Sequence, residues 1–217
     1  MIIRAVLFDL DGTLIDSLED LTDAVNHVRG AFFQPPLTSE SVRSKVGKGV
    51  RDLVRRILPD ALESEIESAV SLFRDFNRRH IADKSRLYPG ILETLLELSA
   101  RNIKMAVITN KSEDLGVHLL QALEINPLFE DICGGDTYPE RKPSPLPLFK
   151  VAEKLGVLHH ECVMVGDSIN DIQAGQRANI TTIGCTWGYG STEEISGADF
   201  LAQTPQELLS LIPAGLR

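Results

Sequence analysis

Short apolar runs alternate along the chain with longer stretches in which apolar residues recur every three or four positions. The short runs are rich in branched side chains, which is typical of buried strands, and lie at residues 5–8, 103–108, 162–165 and 180–183. Helical spacing marks the stretches that begin near residues 90, 112, 145 and 168. Shorter strands are predicted near residues 131–133 and 198–201. Repeated strand–helix alternation predicts an α/β fold with a doubly wound parallel sheet.

Residues 16 to about 84 interrupt this alternation with a helical block. Apolar residues recur at helical spacing from Leu18 to Val28, and residues 62–80 form another amphipathic segment, rich in Glu and Arg. The block contains no convincing strand. We therefore expect an all-helical cap subdomain inserted into a Rossmann-like core, with the cap at residues 16–85 and the core at residues 1–15 and 86–217.

Capping residues and prolines mark the helix boundaries. Asp16 or Ser17 is expected to cap the first helix of the inserted block. Ser144 followed by Pro145 is a helix start signal. Thr204 is expected to cap a C-terminal helix.

The composition is ordinary for a soluble globular protein, with 43% hydrophobic and 24% charged residues among 217. The formal net charge is -9 and no block of Lys or Arg stands out, so a nucleic-acid partner is not expected. The three cysteines have no CxxC spacing, which disfavours a disulfide framework or a zinc site. No apolar stretch suits a signal peptide or a membrane span, so we expect a cytoplasmic protein without a membrane partner.

Two acids, Asp9 and Asp11, directly follow the first predicted strand, and Gly12 allows a tight bend after them. Carboxylates are costly to bury unless a cation or hydrogen-bond donors pair with them. Two acids at the end of a buried strand therefore indicate a chemical site and suggest a metal ion.

Polar residues also follow the other predicted strands, and ligands bind at the carboxyl ends of strands in doubly wound sheets. The residues expected to converge there with the two acids are Thr109, Asn110, Asp167, Asp171 and, in a rigid turn, Lys142. Clustered carboxylates repel one another unless a cation neutralises them, and oxygen ligands of this kind suit Mg²⁺. Taken singly, Thr109 is better explained as a helix cap and Lys142 as a solvated lysine. Such structural roles do not explain why all these residues occur together, in order, at predicted strand ends.

Four stretches resemble, in order, the four motifs of the haloacid dehalogenase superfamily: residues 9–13, 108–110, 142–143 and 166–171. The resemblance covers nearly the whole chain, and the insertion between the first two motifs resembles the helical cap of that superfamily. Within it, the chain is most similar to the phosphoglycolate phosphatases, at residues 16–17, 46–49, 142–145, 166–175 and 187–190.

This resemblance implies a hydrolase that works through an aspartyl-phosphate intermediate. Asp9 would be the nucleophile, and Asp11 would protonate the leaving alcohol and then deprotonate water. Thr109, with Asn110 beside it, would bind phosphoryl oxygens, and Lys142 would offset the negative charge of Asp9 and the phosphoryl group.

The resemblance also implies a cofactor and a substrate. Mg²⁺ would be held by Asp9, Asp167 and the main-chain oxygen of Asp11, with Asp171 as a further ligand or as support for the others. The substrate would be a small phosphorylated metabolite, foremost 2-phosphoglycolate, and the protein would be a monomer or a homodimer.

Cations in the predicted cap are candidates for binding a substrate carboxylate. Lys48 and Arg51 follow two glycines in a loop that can face the site, and a cation is the natural partner of a carboxylate. The opposing interpretation, solvated cations at an ordinary helix start, is equally consistent with the sequence. Arg43, Lys45 and Arg55 are expected on solvated faces.

Other activities remain open at this stage. Pyrophosphatases and sugar-phosphate phosphatases of the superfamily share the core motifs. A mutase is disfavoured because Leu21 occupies the position of the mutase histidine, and carbon–halogen hydrolysis because those relatives lack an acid where Asp11 stands. A phosphonate hydrolase needs an imine-forming lysine in the cap, for which Lys45 and Lys48 are available. A phospho-accepting switch is disfavoured because a cap would obstruct the phosphorylating protein.

Overall fold

Six strands form one fully parallel sheet in the computed structural model, which describes residues 2–212. The strands of this sheet are β1 (Ala5–Phe8), β4 (Lys104–Ile108), β5 (Asp131–Cys133), β6 (Cys162–Gly166), β7 (Thr181–Cys185) and β8 (Phe200–Ala202). Two further strands, β2 (Ile15–Asp16) and β3 (Arg86–Leu87), form a separate pair. The sheet order is β5-β4-β1-β6-β7-β8, which places β1 between β4 and β6. The predicted doubly wound α/β fold is confirmed.

Helices cover the sheet and build the cap. The cap segment contains α1 (Leu18–Ala31), α2 (Ser39–Arg43), α3 (Val50–Ile57) and α4 (Glu63–Arg79). The core segment contains α5 (Ile91–Ala100), α6 (Glu113–Ala122), α7 (Leu146–Leu155), α8 (Ile169–Ala178), α9 (Thr192–Ile195) and α10 (Leu208–Leu211), with 3-10 turns at Asn126–Leu128, His159–Glu161 and Pro205–Glu207. No helix within residues 2–212 is both long enough and apolar enough to cross a membrane.

Strand β1 is buried on both faces of the sheet, which explains its continuous apolar sequence. Successive side chains of a strand point to opposite faces. Val6 and Phe8 therefore pack in an apolar cluster with α5 and α6, whereas Ala5 and Leu7 pack in a second cluster with α7 and α8. This double burial holds the end of β1, where Asp9 follows, in a fixed position.

The cap helices pack around an apolar cluster of their own. This cluster is formed by residues between Leu18 and Phe76, among them Val25, Leu53 and Phe73. The cap core is thus built from local helix–helix contacts and does not share side chains with the two clusters that flank the sheet.

Two short strands at the base of the cap differ from the sequence prediction. β2 and β3 pair antiparallel, with Ile15 opposite Leu87 and Asp16 opposite Arg86. Each strand has only two residues, so neither carries the alternation from which a strand is predicted. The strand pair therefore joins the two places where the chain passes between the core and the cap. The predicted helical block begins within β2, at Asp16.

Two of the predicted capping residues also act differently. The hydroxyl of Ser17 makes no cap hydrogen bond and donates to Asp11 Oδ1 at 2.5 Å, while Asp16 Oδ1 accepts from the backbone N–H of Leu18. Thr204 precedes the 3-10 turn Pro205–Glu207, and its side chain makes no cap hydrogen bond. The Ser17 hydroxyl is therefore directed at the first motif of the core and does not cap α1.

Asp20 of α1 binds residues 84–85, in the segment through which the chain returns from the cap to the core. Its buried carboxylate accepts from the backbone N–H of Lys84 at 3.1 Å, the backbone N–H of Ser85 at 2.8 Å and the Ser85 hydroxyl at 2.6 Å. These hydrogen bonds satisfy backbone donors of the chain just before β3.

Replacing Asp20 with Ala is expected to lower the free energy of unfolding by about 2–4 kcal/mol, because buried donors lose a charged acceptor. Urea unfolding followed by circular dichroism measures this change. Asp23→Ala is the matched control, because Asp23 lies on the same helix and pairs with Lys84 on the exposed surface. A loss for Asp20→Ala no larger than for Asp23→Ala would contradict this role.

Candidate active site

Adjacent strand ends bring the predicted residues together. Asp9 follows β1, Thr109 follows β4 and Asp167 follows β6, and β1 lies between the other two strands. Thr109 and Asp9 line one cavity together with Asp11 and Lys142. The convergence expected from strand–helix alternation is therefore present in the structure.

Lys142 is a buried ammonium group at the centre of this arrangement. Its Nζ lies 2.8 Å from Asp9 Oδ1 and 2.6 Å from Asp171 Oδ1, and it also donates to the backbone carbonyl of Ile108. An ammonium group has three donors, so these three acceptors use its full capacity. Burial opposes the charged form, but Asp171 and Asp9 together raise the pKa of Lys142 above its ordinary value.

The buried acids have perturbed pKa values in the absence of a metal ion. Burial raises the pKa of Asp9 to about 8; Asp171 and Asp167 add to the rise, and Lys142 opposes it. Burial and the neighbouring Asp171 raise the pKa of Asp167 to about 6. A cation bound between these carboxylates would replace the protons that burial and mutual repulsion favour.

Hydrogen-bond donors hold the Asp167 carboxylate against the first motif and a core loop. Oδ1 accepts from the Thr13 hydroxyl at 3.1 Å, and Oδ2 accepts from the backbone N–H of Tyr189 at 2.6 Å and of Gly190 at 3.3 Å. Gly12 is required beside it, because its φ is +90° and an added Cβ would lie 2.3 Å from Asp167 Oδ2.

Asp171 is fully buried at the start of α8. Its Oδ2 accepts from the backbone N–H of Ser168 at 3.0 Å and from the Ser168 hydroxyl at 2.7 Å, which forms a capping box. Its Oδ1 faces Lys142. Asp171 therefore links the helix start to the buried ammonium group.

Asp11 has partners different from those of Asp9. Both of its carboxylate oxygens lie 3.1 Å from Lys111 Nζ, and Oδ1 also accepts from the Ser17 hydroxyl. The Ser17 backbone N–H in turn donates to the hydroxyl of Tyr189 at 2.7 Å. The two acids of the first motif are thus held apart, one against Lys142 and the other against Lys111.

Three carboxylates form a group of suitable size for a metal ion. One oxygen from each of Asp9, Asp167 and Asp171 lies within 4.8 Å of the others, and the Asp11 carboxylate is outside this group. Four ionised acids beside two ammonium groups would carry a surplus of two negative charges, which a divalent cation neutralises. All the donors are oxygens, which matches the preference of Mg²⁺.

The cap lies against the core over this site. Arg43 of α2 donates to the backbone carbonyl of Tyr189 at 3.0 Å and to that of Gly188 at 2.6 Å. The carbonyl of Gly47 accepts from the side-chain amides of Asn110 at 2.9 Å and Asn170 at 3.2 Å. These contacts join cap residues 43–47 to loops at three strand ends.

Asp9 and Asp11 line a cavity of about 70 Å³ together with Asp167, and they also line a cavity of about 60 Å³ between the cap and the core. The apolar part of the wall of the second cavity comes mostly from the cap and consists of Leu21, Val46, Val50, Leu53, Phe73 and, from the core, Leu115. One water-sized group needs roughly 10–15 Å³ by this measure, so the space suits a ligand of few atoms.

The structure brings most of the predicted site residues to this cavity, but it places Lys48 and Arg51 elsewhere. Lys48 is exposed, and Arg51 donates to the carboxylates of Glu63 and Glu67 on α4. Within residues 2–212 the cavity wall includes neither of them. Asn110 lines the cavity, but its amide hydrogens are directed to the carbonyls of Gly47 and Lys142.

Sequence reasoning assigned no site role to Lys111 or Arg43, and for the loop at residues 187–190, which includes Tyr189, it left open whether the loop shapes the pocket or is a structural turn. Lys111 directly follows Thr109 and Asn110 at a strand end, so its position offered a signal that was available. Arg43 was expected on a solvated face, yet it binds the core loop. Tyr189 lies in a glycine-rich loop, and neither its position nor that of Arg43 can be read from local spacing because both depend on how the cap meets the core.

Comparison with known proteins agrees with this geometry. A phosphoglycolate phosphatase of Chromobacterium violaceum is 40% identical over 98% of this chain and 98% of its own length. The crystal structure of a predicted phosphoglycolate phosphatase from Haemophilus somnus is 30% identical, with a TM-score of 0.92 over 97% of this chain and 98% of that one. CbbY from Rhodobacter sphaeroides in complex with phosphate is 28% identical, with a TM-score of 0.84 over 96% and 97%.

The family model described as haloacid dehalogenase-like hydrolase matches residues 6–185, which include the cap and all the carboxylates of the site. Because this model matches most of the chain and a relative is 40% identical over nearly its full length, the chain belongs to the haloacid dehalogenase-like hydrolase family.

Proposed function

We propose that this phosphatase hydrolyses 2-phosphoglycolate with Asp9 as the nucleophile, Asp11 as the general acid and base, and Mg²⁺ as the cofactor. The observation that carries the proposal is the separation of the two acids. Asp9 lies with Lys142 in the carboxylate group, whereas Asp11 lies outside that group against Lys111 and Ser17. The two steps of such a reaction need two carboxylates with different environments.

Asp9 supplies the attacking oxygen. It bonds to phosphorus as the leaving oxygen departs, which gives an aspartyl phosphate and an alkoxide that needs a proton. Lys142 binds one oxygen of Asp9 and leaves the other free to attack. Lys142 and Thr109 line the cavity together with Asp9, where they would stabilise charge on the oxygens of a bound phosphoryl group.

Asp11 transfers a proton in each of the two steps. It gives a proton to the leaving alkoxide and then takes one from the water that attacks the aspartyl phosphate, which releases phosphate and restores Asp9. Ser17 and Lys111 hold its carboxylate near the cavity and away from the Asp9 group. This placement suits a group that exchanges protons with the substrate.

Mg²⁺ fits the residues present, with Asp9 and Asp167 as carboxylate ligands and Asp171 as the third member of the group. The ion would neutralise phosphoryl charge during transfer. The Asp11 main-chain oxygen stays a predicted ligand.

The small cavity and the relatives support the choice of substrate. The cavity of about 60 Å³ has room for a short organic group beside Asp9 and Asp11. Phosphoglycolate phosphatases are the relatives at 40% and 39% identity over nearly the full chain.

Asp9→Asn is expected to abolish turnover of 2-phosphoglycolate, with kcat falling by about four orders of magnitude or more, because an amide is not a nucleophile toward phosphorus. A phosphate-release assay measures this loss, and circular dichroism shows that the fold is kept. Asp131→Asn is the matched control, since Asp131 also lies on a strand of the sheet and has a side chain only 8% exposed, but it pairs with Lys154 away from the cavity. Near-normal turnover by Asp9→Asn would remove Asp9 as the nucleophile.

Chelation by EDTA is expected to stop phosphate release, and excess Mg²⁺ to restore it. Isothermal titration calorimetry separates binding from catalysis: Asp167→Asn should weaken Mg²⁺ binding by at least about tenfold, whereas Asp11→Asn should bind Mg²⁺ nearly as the wild type does but lose turnover. Activity that is indifferent to EDTA, or equal Mg²⁺ affinity in the wild type and Asp167→Asn, would refute the metal assignment.

Arg43→Gln is expected to loosen the cap, because the charged donor to the Gly188 and Tyr189 carbonyls is lost. Hydrogen exchange at residues 43–49 and 187–190 should accelerate, and kcat/KM should fall by about tenfold. Arg55→Gln is the control, since Arg55 lies in the same cap but pairs with Glu63 at the surface. Unchanged exchange in both segments would show that Arg43 does not hold the cap closed.

A further inference from the structure

The cavity wall contains one cation with donor capacity that the protein does not use. Among the described residues that line the cavity, the cations are Lys111 and Lys142. Lys142 has three acceptors for its three donors, Asp9, Asp171 and the Ile108 carbonyl. Both contacts of Lys111 Nζ go to the single carboxylate of Asp11, so an N–H of this ammonium group remains available to a ligand.

Lys111 is also held in an environment where a charge acts strongly. Its side chain is 7% exposed, and the neighbouring wall includes Leu115, Phe73 and Leu21. A low local dielectric strengthens the attraction between an ammonium group and an anion. An anionic group of the substrate that enters this part of the cavity would meet Lys111 rather than water.

The part of the cavity wall that the cap contributes carries an unpartnered polar group. Asn77 of α4 is 2% exposed and lies among apolar cap residues, and its Oδ1 makes no hydrogen bond within the described part of the chain. A buried polar group without a partner is costly, so such a residue in an apolar wall indicates a ligand contact. The oxygen Oδ1 is an acceptor and cannot bind an anion, but Nδ2 of the same side-chain amide also makes no hydrogen bond within residues 2–212 and can donate two hydrogen bonds to a carboxylate.

We propose that Lys111 from the core and Asn77 from the cap together bind the carboxylate of the substrate and thereby determine specificity for a phosphomonoester with a short anionic leaving group. This inference rests on the proposed function and assigns to Lys111 the recognition that sequence reasoning gave to Lys48 and Arg51. Because the two residues come from different subdomains, the carboxylate is fully bound only when the cap is closed.

The test compares 2-phosphoglycolate with 2-hydroxyethyl phosphate, in which a neutral CH₂OH replaces the carboxylate. The wild type is expected to prefer 2-phosphoglycolate in kcat/KM. Lys111→Met should lower this preference by about 10- to 100-fold through a higher KM for 2-phosphoglycolate alone, whereas Lys111→Arg should retain most of it. Any effect of Lys111 on Asp11 changes kcat for both substrates and cancels in the ratio. Lys150→Met, on the exposed surface of α7, is the matched control.

Asn77→Leu gives an independent readout. It should lower the preference by a smaller factor, about three- to tenfold, while raising the melting temperature, because an apolar group of similar shape replaces an unpartnered polar one. A purely structural Asn77 would give neither result. Hydrolysis of 2-hydroxyethyl phosphate by the wild type and by each variant tests the phosphatase function itself. An unchanged preference in Lys111→Met, or no preference in the wild type, would overturn the carboxylate site.

Discussion

The ion pairs of one buried lysine are the interaction on which the site depends. Lys142 sits between Asp9 and Asp171 and also binds the end of strand β4 through the Ile108 carbonyl. Removing either acid from water without this cation would be costly, and a buried ammonium group without them would be equally so. The arrangement therefore requires the cation and the acids together, and it still leaves the acids in excess. That excess supports the proposed binding of a divalent metal ion in the same place.

The cap depends on this charged site in another way. Its helices form their own apolar cluster and are complete without the sheet, so their position over the site is determined by a few polar contacts. Arg43 and the Gly47 carbonyl bind loops that also carry Asp167 hydrogen bonds or the Asn110 amide. Few directional contacts between two separately packed bodies suit a lid that opens for substrate and closes to exclude water.

Much of the fold and the centre of the site could be predicted because both follow from local patterns. Buried strands are continuous apolar runs, and the candidate site residues lie where they end, as with Asp9, Thr109 and Asp167. The remaining features depend on contacts distant in sequence. The two-residue strands β2 and β3 are too short for a pattern, and Arg43 and Tyr189 meet only when cap and core pack. Arg51 faces away because Glu63 and Glu67, one helix later, are its nearest acids.

In the proposed mechanism, the phosphoryl group is transferred first to Asp9 and only then to water. The most direct measurement is the stereochemical course at phosphorus, with a phosphorothioate analogue of the substrate that is chiral through ¹⁶O and ¹⁸O and is hydrolysed in water enriched in ¹⁷O. Two successive in-line displacements each invert the configuration, so the account predicts net retention in the thiophosphate released. Net inversion would mean that water attacks the substrate directly, and it would contradict an aspartyl-phosphate intermediate at Asp9.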